Sequence, residues 1–294
     1  MTGTSRLAII LNPAAGTYPN KPEEIKEKLG DCADALLLCA KGTANPTELA
    51  RSALAEGCDT VIAGGGDGTV SSVAGVLAGT RVILGVLPLG TLNHFAKDLG
   101  IPTDLGEALG VVLKGNTVQV DVGEVNGRVF INNSSLGLYP GIVKEREETQ
   151  KRGVSKWPAF AWAAAKILGR YPSVEASIEV EGRTIQRRTP FLFIGNNPYD
   201  TDGSRIGSRR RLDTGTLALY TAYRKGRLGL FLLAVRALLG TLGEAKDFEA
   251  LTATAILIQS RRRSIEVAAD GELAIMETPL NYRVRSRALR VIVP

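Results

Sequence analysis

The sequence predicts two domains of different class: an α/β domain with a parallel sheet over residues 1–125 and a mainly antiparallel β-sandwich over residues 126–294. Two observations predict it. Up to about Leu113, apolar runs that read as buried strands alternate with segments whose apolar residues recur at helical spacing. Beyond Gln119 this alternation stops, and short β-like runs follow one another with turn residues between most of them.

In the first domain the strand-like runs are LAIIL (7–11), ALLLCA (35–40), TVIAG (60–64) and RVILGVL (81–87). The helical segments are KPEEIKEKL (21–29), PTELARSALAEG (46–57) and DLGEALGVVLK (104–114). Parallel neighbours need a crossover connection, and helices supply it while covering the faces of the sheet. In such folds ligands bind beyond the carboxyl ends of the strands, which directs attention to the loops after LAIIL, TVIAG and VILGVL. In the second domain the runs are VQVDVGEV, RVFINNSS, SVEASIEVEG, TPFLFIGNN, GTLALYTAY, LTATAILIQS, SIEVAAD and ALRVIVP. Two helical insertions, 157–170 and 226–240, interrupt them. The last strand is free to return to either domain.

With 44% hydrophobic and 22% charged residues, the 294-residue chain has the composition of a folded globular protein. The excess of 36 basic over 30 acidic residues suits anionic lipid surfaces, nucleic acid or phosphorylated substrates without choosing among them. Cys32, Cys39 and Cys58 have no metal-ligand spacing and read as reduced thiols of a cytoplasmic protein. The opening MTGTSRLAIILNP reads as a first strand rather than a signal peptide. The apolar stretch 228–240 contains Arg236 and is shorter than the roughly 20 residues of a spanning helix, so the chain is expected not to cross a bilayer.

The strongest local signal is Gly64-Gly65-Gly66-Asp67-Gly68-Thr69, between the strand TVIA and the helical VSSVAGVLAG. A strand, a glycine loop and a helix start aim backbone N–H groups at an anion, and the absent side chains let phosphate oxygens approach the main chain. The loop is neither a Gly-x4-Gly-Lys-Ser/Thr P-loop nor the dinucleotide Gly-x-Gly-x-x-Gly. A carboxylate at Asp67 beside a triphosphate makes sense with Mg²⁺ between them; on the residues alone it is equally a structural turn aspartate. Asn12-Pro13-Ala14-Ala15-Gly16 and Pro88-Leu89-Gly90-Thr91-Leu92-Asn93 put small or polar residues at two more strand ends.

Asn-Pro-x-x-Gly, Gly-Gly-Asp-Gly-Thr and Pro-x-Gly-Thr-x-Asn, in this order and at these intervals, resemble the diacylglycerol kinase catalytic domain family, which includes bacterial lipid kinases and sphingosine and ceramide kinases. Downstream marks are Asn196-Asn197, Leu212-Asp213-Thr214-Gly215-Thr216-Leu217, Asp270-Gly271-Glu272, Pro279-Leu280 and the closing residues 288–294. The resemblance implies an N-terminal domain similar to those of NAD kinases and 6-phosphofructokinases, a C-terminal β-sandwich, and an active site in the cleft between them. It implies ATP contacts at Gly65, Gly66, Asp67, Gly68, Thr69, Val70, Ser71 and Thr91, with Asn12 near the phosphates, Thr43 as a further nucleotide contact and Asp67 serving Mg²⁺.

Asp270-Gly271-Glu272 corresponds to the family's Asp-Gly-Glu, with Glu272 as the base that accepts the lipid hydroxyl proton and Asp270 as its orienting partner or the alternative base. By residue type, Asp-Gly between strands is also a favoured hairpin turn. Relatives often carry Asp-Asp-Gly where this chain has Asp213-Thr214-Gly215, and the second aspartate belongs to a structural Mg²⁺ site. Thr214 removes that charge, leaving such an ion absent or weaker, with Asp213 as a substitute ligand. His94, where many relatives have aspartate, is the only histidine and reads as a loop or cleft residue rather than a catalyst.

The reaction so implied is transfer of the γ-phosphoryl of ATP to a hydroxyl of diacylglycerol, a sphingoid base, ceramide or a related lipid. It calls for a lipid substrate at the membrane surface and peripheral, not transmembrane, contact. Candidate contacts are Arg224 to Leu233 and the group Lys151, Arg152, Lys156, Trp157, Phe160 and Trp162, although apolar helical stripes more often face a core. Arg209-Arg210-Arg211 and Arg261-Arg262-Arg263 attract headgroups or form solvated strand ends. No nucleic-acid module is recognisable, and homodimerisation is left open. The rival readings are a kinase of soluble NAD and a nucleotide-binding regulator without catalysis; the Asn-Pro-x-x-Gly opening and the retained Asp67, Asp270 and Glu272 favour the lipid kinase.

Overall fold

The structure, a computed structural model, describes residues 6–12, 25, 36–39, 45–138, 140–141, 173–201, 207–222, 226, 229, 232, 236, 241, 243, 245 and 248–294. The chain divides into two compact units, Met1–Val122 with Ser286–Pro294, and Gly123–Arg285.

The first unit contains β1 (Leu7–Leu11), β2 (Leu36–Cys39), α1 (Pro46–Ala55), β3 (Thr60–Gly65), α2 (Asp67–Leu77), β4 (Ile83–Pro88), α3 (His94–Asp98) and α4 (Leu105–Lys114). Strand β1 pairs in parallel with both β2 and β3, and β3 pairs in parallel with β4. Ala8, Ile9, Ile10, Val61, Ile62, Ala63, Leu84 and Val86 are all buried, as the unbroken apolar runs require of a sheet covered on both faces. Helix α1 starts with a capping box: Asn45 Oδ1 accepts from Glu48 N at 2.9 Å and Glu48 Oε2 accepts from Asn45 N. Helix α4 is capped by Asp104, whose Oδ1 accepts from Glu107 N at 3.0 Å, and it ends at Gly115 in the left-handed region. Cys39 and Cys58 are free thiols, and burial pushes the Cys58 thiol up from its ordinary range; Cys32 lies outside the described residues.

The second unit is antiparallel. Strands β5 (Thr117–Val125), β6 (Arg128–Phe130), β7 (Asn133–Gly137), β8 (Val174–Val180), β9 (Arg183–Thr189), β10 (Phe191–Asn196), β11 (Leu217–Ala222), β12 (Phe248–Ala253), β13 (Ala255–Ser260), β14 (Ser264–Ala269), β15 (Glu272–Glu277) and β16 (Leu280–Ile292) complete the chain. One sheet has the order β12-β11-β10-β7-β14-β15; in the other, β13 lies between β16 and β8, with β9 beyond β8. Alternate residues of both sheets, among them Leu192 and Ile194, Leu217 and Leu219, Ile256 and Ile258, and Leu280 and Tyr282, meet in one core with Phe130, Leu136 and Ile178. Each such fully buried side chain contributes roughly 1.5–3 kcal/mol. The buried Tyr282 hydroxyl shares a hydrogen bond with Ser134 Oγ at 3.0 Å, and desolvation holds its acidity well below that of free tyrosine.

Strands β9 and β15 are additions to the sequence reading, and β16 begins eight residues before the expected 288. In β9 (RTIQRRT) and the NYRVRSR stretch of β16, exposed polar residues interrupt the apolar ones, and in β15 (ELAIME) the apolar run is short, Leu273 to Met276 between Glu272 and Glu277, with Ile275 in solvent. The chain within β16 crosses from the second unit to the first. Near the crossing Arg287 has φ +50°, and its N–H donates at 2.8 Å to the fully buried Asp121 carboxylate. Beyond it, Arg290 and Val291 pair in parallel with β4.

Candidate active site

In the first unit the chain leaves β3 at Gly65 and enters α2 through Gly66, with no side chain capping the helix. This distinguishes α2 from α1 and α4. Its first N–H groups carry the partial positive charge of a helix start and point away from the helix, which suits an anion. Two glycines are demanded by close approach: a Cβ on Gly90 would collide with the Cα of Gly66, and one on Gly65 would collide with the Thr69 side chain.

The loops after β1, β3 and β4 are bonded to one another. Asn12 N donates to Gly64 O at 3.0 Å and its Nδ2 donates to Thr69 Oγ1 at 3.1 Å. Leu89 N donates to Gly65 O at 3.0 Å, and Phe95 N donates to Asp67 Oδ1 at 3.4 Å. Asn93, buried and left-handed with φ +51°, closes the last loop: its Oδ1 accepts from Gly90 N at 3.0 Å and its Nδ2 donates to the carbonyls of Pro88 and Gly90. Asn12, Gly65, Gly66, Asp67, Gly68 and Thr69 are thus held in one place. Thr91 is exposed on the neighbouring loop and Ser71 half-buried on α2, whereas Val70 is buried and its N–H is spent on Gly66 O. Thr43 lies outside the described residues. His94 is exposed as the first residue of α3. Asn93 is the residue whose structural part the sequence reading did not assign; its signal was the final Asn of Pro-x-Gly-Thr-x-Asn.

In the second unit Asp270 and Gly271 join β14 to β15 with φ of +48° and +82°, the positive pair of a two-residue hairpin. The turn is more than a connection. Asp270 Oδ2 accepts from Ile131 N at 2.8 Å, and Oδ1 accepts from Asn132 N at 2.8 Å and Asn133 N at 3.0 Å. Its own N–H donates to Asn133 O at 2.8 Å. Glu272, two residues on, is exposed and pairs with Arg128 Nη2 at 2.7 Å. Of the two carboxylates, Asp270 has its oxygens occupied by main-chain donors, and Glu272 is the more available to a ligand.

Asp67 fits a Mg²⁺ of the kind held by one or two carboxylates together with phosphate oxygens. Asp213 does not fit a cation: Arg211 grips both of its oxygens, at 3.0 and 3.2 Å. Beside it Thr214 donates through N at 2.8 Å and through Oγ1 at 2.6 Å to Asn197 Oδ1, so hydrogen bonds organise this turn. Among the described residues no three His, Cys, Asp or Glu side chains gather as a metal-binding group.

The arginine runs are corrected in part. Arg209 is buried, so it neither meets headgroups nor lies at a solvated strand end. Arg210 pairs with Asp200, while Arg261 and Arg263 are 90% exposed beside Glu175 and Glu277. Lys151 to Trp162 lie outside the described residues, as does most of Arg224 to Leu233, where Leu232 is exposed. No helix among the described residues is long and apolar enough to cross a membrane.

Comparison with known proteins agrees with this arrangement. Residues 6–125 match the diacylglycerol kinase catalytic domain, and residues 140–293 match the YegS C-terminal NAD kinase β-sandwich-like domain. A diacylglycerol kinase of Staphylococcus aureus is 30% identical over 224 residues, covering 73% of this chain and 69% of that one. One of Staphylococcus carnosus is 31% identical over 221 residues, covering 73% and 71%. In fold, the chain is similar to a diacylglycerol kinase structure from Bacillus anthracis str. Sterne, with TM-score 0.71, 21% identity and coverage of 99% and 97%. It is also similar to yeast NADH kinase complexed with NADH, with TM-score 0.56, 12% identity and coverage of 100% and 84%. Two family models that between them span both units, and relatives at this identity over most of their length, show that the chain belongs to the diacylglycerol kinase family.

Proposed function

We propose that the protein is an ATP-dependent lipid kinase that transfers the γ-phosphoryl group to a hydroxyl of diacylglycerol or a related membrane lipid. The observation that carries this reading is the uncapped start of α2, fastened to the loops after β1 and β4 with Asp67 in its first turn. Gly66, Asp67 and Gly68 offer main-chain N–H groups to the phosphates, Asn12 holds Thr69 in register, and Thr91 lies exposed for a further contact. Asp67 would hold Mg²⁺, which when bound neutralises charge on the phosphoryl oxygens during transfer.

Glu272 is the base of this reading. A lipid hydroxyl is a poor nucleophile, and a carboxylate that accepts its proton as the oxygen attacks phosphorus in line lowers the barrier. The Arg128 partner orients Glu272 without burying it, and Asp270 anchors the turn that carries it. A cavity of about 900 Å³ in the second unit, lined in part by Leu136, Val174 and Ile265 together with Arg261 and Arg262, is the place we assign to acyl chains. The lipid is met at the membrane surface by peripheral contact.

The test is Mg²⁺-dependent transfer of radiolabelled phosphate from ATP to diacylglycerol, monoacylglycerol, ceramide, sphingosine and phosphatidylglycerol in mixed micelles. NAD runs alongside, with Asp67→Asn and Glu272→Gln as controls. Label in a lipid that both substitutions abolish supports the proposal. Label in NAD alone, or ATP binding without transfer to any acceptor, overturns it in favour of a soluble-substrate kinase or a regulator.

A further inference from the structure

Arg209 opens a run of three arginines, yet it is 3% exposed. Its guanidinium is directed at one short segment and its neighbour. Nη1 donates to Ile131 O at 2.7 Å and to Asn196 O at 3.0 Å, and Nη2 donates to Asn132 Oδ1 at 2.7 Å. The ring of Tyr199 lies beneath it, 5.2 Å from the guanidinium carbon. Other groups hold the same segment: Asn196 Nδ2 donates to Ile131 O at 3.0 Å, Asn196 N to Asn132 O at 2.9 Å, and the Tyr199 hydroxyl to Asn132 O at 3.1 Å. The carbonyl groups of Ile131 and Asn132 are therefore bound by Arg209, Asn196 and Tyr199, while the N–H groups of residues 131–133 are bound by Asp270.

We propose that Arg209 is a positioning residue for the Asp270–Glu272 turn. A peptide plane held at its carbonyl oxygen has its neighbouring N–H direction set as well. By fixing the Ile131 carbonyl and the Asn132 side chain, the guanidinium sets the direction of the Asn132 N–H, while Asn196 N and the Tyr199 hydroxyl on the Asn132 carbonyl set that of Asn133; both N–H groups meet Asp270 Oδ1, and Asp270 in turn sets the hairpin from which Glu272 projects. The role needs a guanidinium. Its planar fork reaches three acceptors at fixed angles, whereas a lysine ammonium is a single point on a flexible stem. A buried cation is costly to desolvate, which makes Arg209 an expensive way to fill space and a specific way to fix a geometry.

The catalytic consequence rests on the lipid-kinase reading; the clamp itself does not. The experiment uses the full chain with R209K and the milder Y199F, which removes only a hydroxyl and keeps the test open if R209K folds poorly. Amide hydrogen exchange at Ile131, Asn132 and Asn133 is followed by NMR, and kcat and KM for ATP are measured on lipid micelles. In R209K, exchange at these three amides accelerates at least about tenfold, and kcat falls at least about tenfold with KM for ATP within about twofold. Y199F shows the same pattern at about threefold. A general loss of packing would instead accelerate exchange throughout the second unit and overturn the assignment. Unchanged exchange at 131–133 in both variants overturns it whether or not any lipid is phosphorylated, and so does faster exchange with wild-type kcat. Faster exchange in a protein whose wild type transfers phosphate to no lipid supports the clamp and overturns the lipid-kinase reading.

Discussion

The start of α2 and the segment 131–133 both gather backbone N–H groups, but no side chain caps those of α2, whereas the Asp270 carboxylate accepts three at 131–133. The chemistry of the donors is the same. What differs is whether the protein supplies the anion. Where it does, the N–H groups are part of the fold and the carboxylate that fills them is spent as an anchor. Where it does not, the donors stay available for a charged ligand, and neighbouring loops hold them in place. The difference teaches where to look for binding and where to look for support: on the proposed lipid-kinase reading, Glu272, beside the anchored turn, is the carboxylate that acts, and the start of α2 is where the phosphates bind.

The largest effect that sharpens this comparison is on Glu272. Glu272→Gln lowers kcat by about 10²–10⁴ while nucleotide affinity, read by fluorescent ATP-analogue titration, stays within about twofold. Equal loss from Asp270→Asn without loss of stability would break the division between anchor and base. Asp270→Asn instead destabilises the second unit by about 2–3 kcal/mol in urea unfolding, because one carboxylate oxygen becomes an NH2 group facing main-chain donors. In the first unit, Gly90→Ala weakens nucleotide binding about tenfold or more, since the new Cβ displaces the loop that lies on Gly66. Asn12→Ala has the smallest effect, a few-fold in nucleotide affinity and about 1 kcal/mol in stability, because it removes one half-buried bond to Thr69.

Much of the fold was legible. Strands buried on both faces show as unbroken apolar runs, and LAIIL, TVIAG and RVILGVL mark β1, β3 and β4, with the last run beginning two residues before the strand. Helices α1 and α4 announced themselves through apolar spacing, and the structure adds their caps, Asn45 and Asp104. Strands β9 and β15 were not legible, because polar residues interrupt β9 and the apolar run of β15 is short, Leu273 to Met276, with Ile275 facing water. The three glycine-bearing loops were visible as composition at strand ends, and the structure adds the bonds between them, Asn12 to Thr69 and Phe95 to Asp67. Arg209 was misread because a run of like charges implies solvent, and nothing local says which member turns inward.

The sequence by itself determined the alternation that makes a parallel sheet, the later period-two pattern of the sandwich, and the glycine loop at α2. These are properties of neighbouring residues, set by helical and strand periodicity and by the side chains a tight approach excludes. Only the tertiary structure decided that Asp270 is saturated by amides 139, 138 and 137 positions away in sequence, that Arg211 occupies Asp213, and that Arg209 is buried against Ile131 and Asn132. The physical reason is common to the three: a charged side chain takes its role from the partners that replace its water, and apart from Arg211 those partners come from distant parts of the chain.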